Sequence, residues 1–122
     1  MGMTASSVRI VDKAFMVKTF QEAAAVSNVV VVDVRNPDEV QATGALSPTT
    51  HNIPLSQLAE ALTLDSDAFQ NKYNFPKPNP DESTLVFSCR SGMRARSAAS
   101  QATASGYKDV AVYSGSANEW FA

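Results

Sequence analysis

The sequence predicts an α/β domain built around a sheet of parallel strands. "NVVVVDVR" (28–35) is a continuous β-branched run, apolar on both faces, as strands covered on two sides are. "TLVFSC" (84–89) and "KDVAVYSG" (108–115) repeat that pattern further along the chain. Segments of helical periodicity separate these runs, and such alternation favours parallel strands joined by right-handed crossovers.

Taken in order, the first nine residues are expected to form a flexible N-terminus, with one folded domain over 10–122. "DKAFMVKTFQEAAAVS" (12–27) brings Phe15, Phe20 and Ala23 to Ala25 together at helical spacing, and Asp12 can cap its start. After the first strand, "NPDEV" starts a turn or short helix and "TGALSPTTHNIP" is a long polar connection. "LSQLAEALT" places Leu55, Leu58, Ala59 and Leu62 on one helical face, and "SDAFQNKYN" is a further helix. "FPKPNPDES" (75–83), with three prolines, is a rigid connector, too short to link domains. "MRARSAASQATASG" is an alanine-rich helix that stops at Gly106, and "SANEWFA" closes the chain with a short helical piece that carries Trp120 to the core.

At 122 residues and 44% apolar content the chain can bury one core of ordinary size. Ten Lys and Arg against twelve Asp and Glu leave a net charge of -2, which gives no general attraction to nucleic acid or acidic lipid, so any anion site must be local. The single cysteine rules out an internal disulfide, and the lone His51 has no partner in a metal-binding pattern. Those features fit a soluble protein of a reducing compartment, cytoplasmic or mitochondrial, with no membrane span. Met1, Gly2 and Ser6 match the short template for N-terminal myristoylation, although Met-Gly is also a common cloning remnant.

Chemistry concentrates in "CRSGMR" (89–94). Most lone cysteines are buried core residues, yet Cys89 ends a strand and precedes a helix, at the carboxyl end of the sheet where α/β proteins hold their ligands. Loop N–H groups and the helix dipole can form an anion nest there, Gly92 allows a tight turn, and Arg90 and Arg94 add positive charge. Such surroundings favour a thiolate nucleophile. Arg96 lies one turn further on and is expected on the surface, and His51, in its proline-flanked loop, is expected to be a surface or hydrogen-bonding residue.

"DVRNPDE" (33–39), "NIPLSQL" (52–58), "CRSGMRA" (89–95) and "GYKDVAVYSGSANEW" (106–120) resemble, in that order, the motifs of single-domain rhodaneses, the thiosulfate sulfurtransferases. The resemblance implies a rhodanese-like α/β fold with a five-stranded parallel sheet flanked by helices on both faces. It also implies Cys89 as the sulfur-carrying nucleophile and Arg90, Ser91, Gly92, Met93 and Arg94 as its substrate-binding cradle, with no metal or cofactor. Sulfur would pass from thiosulfate through a Cys89 persulfide to an external thiol such as glutathione, or to cyanide. The alternative is a relay or binding module that hands the persulfide to a protein partner. Two departures stand out: Gly44-Ala45-Leu46 replaces a common Gly-His-Ile, and Met93 stands where many members carry lysine or threonine. Cysteine phosphatases of related fold place arginine six positions after cysteine; here Ala95 holds that position and Arg94 closes a smaller loop. In that loop the Arg94 fork is expected to face the oxygens of the donor, and Asp33 and Arg35 to form a structural pair beside it.

Overall fold

The three apolar runs become the three inner strands of one sheet. The computed structural model describes residues 8–22 and 28–122. Along the chain these form β1 (Val8–Val11), α1 (Lys13–Glu22), β2 (Val29–Asp33), α2 (Pro37–Thr43), β3 (His51–Asn52) and α3 (Leu55–Ala61). They continue through α4 (Ser66–Tyr73), β4 (Thr84–Ser88), α5 (Met93–Ala104), β5 (Asp109–Tyr113) and α6 (Ser116–Trp120). The strand order is β1-β5-β4-β2-β3, and every pairing is parallel. β4 is therefore central, so the residue that follows it sits over the middle of the sheet.

Alternation along each strand divides the core in two. Val32, Leu85, Phe87, Val110 and Val112 face Leu58, Ala61, Phe69 and the buried alanines of α5. Val31, Val86, Ala111 and Tyr113 face Met16 of α1, with Phe20 and Trp120 packed alongside. Helices thus cover both faces, and each large side chain removed from water contributes about 2 kcal/mol. Alanine at 95, 98, 99 and 102 lets α5 lie close against the sheet.

Several boundaries differ from the sequence pattern. β1 was not anticipated, and the domain start expected at residue 10 falls inside it: Val8 pairs with Val110, and Arg9 forms an ion pair with Asp109 at 3.0 Å. The acylation template at Gly2 and Ser6, and the helical alanines 23–25, lie outside the described residues. Asp12 caps α1 as expected, accepting from the Phe15 N–H at 2.9 Å. In α3 it is Ala61 that is buried with Leu58, while Ala59 faces solvent. His51 is not in a surface loop: it forms β3 beside Val32, half-buried, with its ring stacked on Phe75 at 3.6 Å. Burial lowers its pKa and favours the neutral ring.

The proline-rich connector is tied down by hydrogen bonds to its surroundings. Lys77 Nζ donates to the Leu62 and Leu64 carbonyls at 3.0 and 2.6 Å, and Tyr107 Oη donates to the Pro78 carbonyl at 2.7 Å. No helix among the described residues is long and apolar enough to cross a membrane.

Candidate active site

Cys89 follows β4 and is 1% exposed. The chain then turns through Arg90 and Ser91 to Gly92, whose φ of 104° lies in the left-handed region. A Cβ built there would come 2.8 Å from the Ser114 carbonyl oxygen, so both backbone angle and space demand glycine. The turn aims main-chain donors at the sulfur: Gly92 N–H lies 3.0 Å and Ala95 N–H 3.4 Å from Cys89 Sγ. Both belong to the start of α5, where unpaired N–H groups and the helix dipole favour negative charge.

The turn after β5 fixes the loop from the other side. Ala117 N–H donates to the Cys89 carbonyl and Asn118 N–H to the Arg90 carbonyl, both at 2.9 Å. Ser116 Oγ accepts from the Cys89 N–H at 3.1 Å and lies 3.9 Å from Sγ. Ser116 lies within the motif at 106–120, but a serine beside glycine reads there as an ordinary turn residue.

The two loop arginines differ in their surroundings. The fork of Arg94 is held by a carboxylate. It makes two parallel bonds to Glu39 of α2, Nη1 to Oε1 at 2.7 Å and Nη2 to Oε2 at 2.9 Å. In the resting site this fork, expected to face the donor's oxygens, is held by a carboxylate 55 positions earlier in the sequence. That bond, helped by the Asn36 N–H on Oε1 at 3.1 Å, lowers the Glu39 pKa from 4.5 to about 2. The same pairing raises the pKa of Arg94, and the charge of Cys89 adds to that effect. Arg90, by contrast, is exposed, and its side chain has no hydrogen-bond or ion-pair partner among the described residues. Ser91 is exposed and Met93 stands out from the lip of the loop at 78% exposure. Arg96 points to solvent, as expected.

Asp33 and Arg35 do form a buried structural pair. Arg35 Nη2 to Asp33 Oδ2 is 2.7 Å, and Nε lies 3.0 Å from both carboxylate oxygens. Arg35 also donates to Thr43 Oγ1 at 2.9 Å, which ties α2, and with it Glu39, to the end of β2. Asn52 Nδ2 braces the same turn through the Asp33 and Arg35 carbonyls, each at 2.9 Å.

A groove of about 350 Å³ runs between α2, Arg90 and α6, lined by Arg35, Glu39, Thr43, Arg90, Asn118 and Phe121 among others. It adjoins the cysteine loop and offers one unpaired cation to an anionic ligand. A larger cavity, about 470 Å³, lies by Asn28, His51 and Phe75 and includes no cysteine.

The pattern of a Rhodanese-like domain matches residues 16–122, nearly the whole chain. The chain belongs to the rhodanese family. A rhodanese domain-containing protein of Drosophila melanogaster is 44% identical over 105 residues, covering 84% of this chain and 93% of the relative. A human thiosulfate:glutathione sulfurtransferase is 39% identical over 88 residues, which are 72% of this chain and 75% of that one. Among solved structures, a single-domain sulfurtransferase of Saccharomyces cerevisiae superposes with a TM-score of 0.83 at 31% identity, covering 97% of this chain and 92% of that one. The rhodanese-like fold, with its five-stranded parallel sheet, is thus shared with a structure of known architecture.

Proposed function

We propose that this rhodanese is a thiosulfate sulfurtransferase that carries sulfur as a persulfide on Cys89. The observation that carries the proposal is a sulfur atom buried at the end of the central strand with two main-chain N–H groups aimed at it. Family membership and the activities of the named relatives support sulfurtransferase chemistry.

In the first half-reaction the Cys89 thiolate attacks the outer sulfur of thiosulfate. The S–S bond of the donor breaks, and sulfite leaves with the electron pair. Arg90, exposed and unpaired, meets the sulfonate oxygens in the groove, while Arg94 contributes positive potential from its place on Glu39. Ser91 and Met93 form the open lip through which the donor approaches, and Gly92 keeps the turn tight. In the second half-reaction an acceptor thiolate attacks the outer sulfur of the persulfide, and the Cys89 thiolate is released. Gly92 and Ala95 N–H groups bond the inner sulfur, so they stabilise this leaving thiolate. With one cysteine in the chain, the acceptor comes from outside. Glutathione fits that role in a compartment that keeps thiols reduced, cytosol or mitochondrion, and cyanide serves as an assay acceptor. The scheme needs neither metal nor organic cofactor.

The test is steady-state turnover of thiosulfate with glutathione, followed as sulfite release, for the wild type and Cys89→Ser. Serine is a far weaker nucleophile at neutral pH, so activity should vanish while the melting curve stays close to wild type. Turnover by the folded serine variant would refute the assignment of Cys89.

A further inference from the structure

We propose that Glu119 is a positioning residue of the sulfurtransferase site: its carboxylate, bonded to the Tyr113 hydroxyl, latches α6 to β5 so that α6 can hold the carbonyls of the cysteine loop. The part of this inference that concerns thiosulfate rests on the function proposed above.

α6 has five residues, too few for a helix that stands by itself, so contacts outside it must fix its place. Its first turn acts on the loop: the Ala117 N–H reaches the Cys89 carbonyl and the Asn118 N–H the Arg90 carbonyl, both at 2.9 Å. Asn118 and Phe121 also line the groove that Arg90 lines from the loop side. The placement of α6 therefore sets both the Arg90 backbone and the opposite wall of the groove.

Glu119 ties α6 to the sheet. Tyr113, the last residue of β5, is fully buried and donates its hydroxyl to Glu119 Oε1 at 2.7 Å, its one side-chain partner among the described residues. The carboxylate reaches that hydroxyl by folding back over the turn. A Cβ built on Gly115 would run into Glu119 Oε1 and lie 2.8 Å from the Glu119 Cβ, although the Gly115 backbone, at φ -68° and ψ -34°, suits any residue. Room for the glutamate is thus what calls for glycine there. Trp120 adds an edge contact to Phe20 of α1, with ring centroids 5.4 Å apart, which holds α6 down, while the directional bond to Tyr113 sets its rotation.

The N–H groups aimed at Sγ belong to the loop and α5. Loss of the latch leaves them in place and shifts Arg90 and the groove wall, so the effect falls on donor binding. Tyr113→Phe, Glu119→Ala, the double variant and Glu119→Gln are compared with the wild type by thiosulfate kinetics, amide hydrogen exchange and melting curves. In Tyr113→Phe and Glu119→Ala the thiosulfate KM should rise about fivefold with kcat within about twofold, and the Ala117 and Asn118 amides should exchange about tenfold faster. The double variant should match the single ones, because all three lack the same bond. Glu119→Gln keeps an oxygen for Tyr113 and should restore the KM. Glu119→Ala should melt lowest, since it strands a buried hydroxyl; if it fails to fold, Tyr113→Phe, which strands none, decides. An unchanged KM in a variant whose α6 amides exchange faster would overturn the positioning role, and unchanged exchange at Ala117 and Asn118 would overturn the latch itself. A wild type without thiosulfate turnover would remove the proposed function, a separate result, and the exchange data would still decide the latch.

Discussion

Replacing Glu39 with glutamine keeps the shape of the side chain and its capping bond to Asn36, but removes the charge that holds Arg94. The pair joins α2 to the start of α5 through two bonds of 2.7 and 2.9 Å, with side-chain exposures of 32% for Arg94 and 26% for Glu39. A carboxylate pKa lowered from 4.5 to about 2 corresponds to roughly 3 kcal/mol if taken in full. Water screens a pair with a quarter to a third of its side chains exposed, so about 1–2 kcal/mol is the effect to expect. For a domain of this size the melting temperature should fall by roughly 4–8 °C at neutral pH. The difference between variant and wild type should persist above pH about 4.5 and close as pH falls toward 2, where Glu39 takes up its proton. Function should move the other way. Arg94, released from its carboxylate, becomes available to anions beside Cys89, so the thiosulfate KM should drop about threefold or more and inorganic phosphate should begin to compete. Thermal melts across pH, with thiosulfate kinetics at several phosphate concentrations, test both halves. A raised KM with no gain in phosphate inhibition would refute this view of Glu39 and show that the clamp orients Arg94 for the donor.

Other substitutions probe the supports of the same site. Gly92→Ala should abolish most activity, because its Cβ would press on the Ser114 carbonyl at 2.8 Å and φ 104° is strained for alanine; sulfite release with a melting curve checks it. Asp33→Asn leaves Arg35 buried without its counter-charge and should cost roughly 3–5 kcal/mol in denaturant unfolding, enough to threaten folding at 37 °C. One residue inserted after Met93 should weaken thiosulfate turnover by moving Ala95 N–H off the sulfur, and unchanged activity would contradict the importance of loop length.

What the sequence made legible follows from how each feature is encoded. β2, β4 and β5 are covered on both faces, so their side chains are continuously apolar and stand out. β1 lies at the sheet edge with Arg9 and Ile10 exposed, and its burial is too slight to impose a pattern. β3 has two residues, His51 and Asn52, fewer than any periodicity needs. The Cys89 loop is contiguous, and its cysteine, glycine and arginines could be read together. Glu39 and Ser116 come from segments 50 positions before and 27 after the cysteine. Each is of a type usually found at the surface, and only the parallel sheet brings them to one place. Arg94 shows the same limit: its position in the loop was clear, while the direction of its fork depends on a partner that the loop sequence does not contain.

Intact mass before and after thiosulfate tests the central claim most directly. The chain should gain one sulfur atom, lose it on addition of cyanide or glutathione, and gain nothing as Cys89→Ser. A wild-type protein whose mass never changes, or a serine variant that takes up the same sulfur, would contradict persulfide transfer at Cys89.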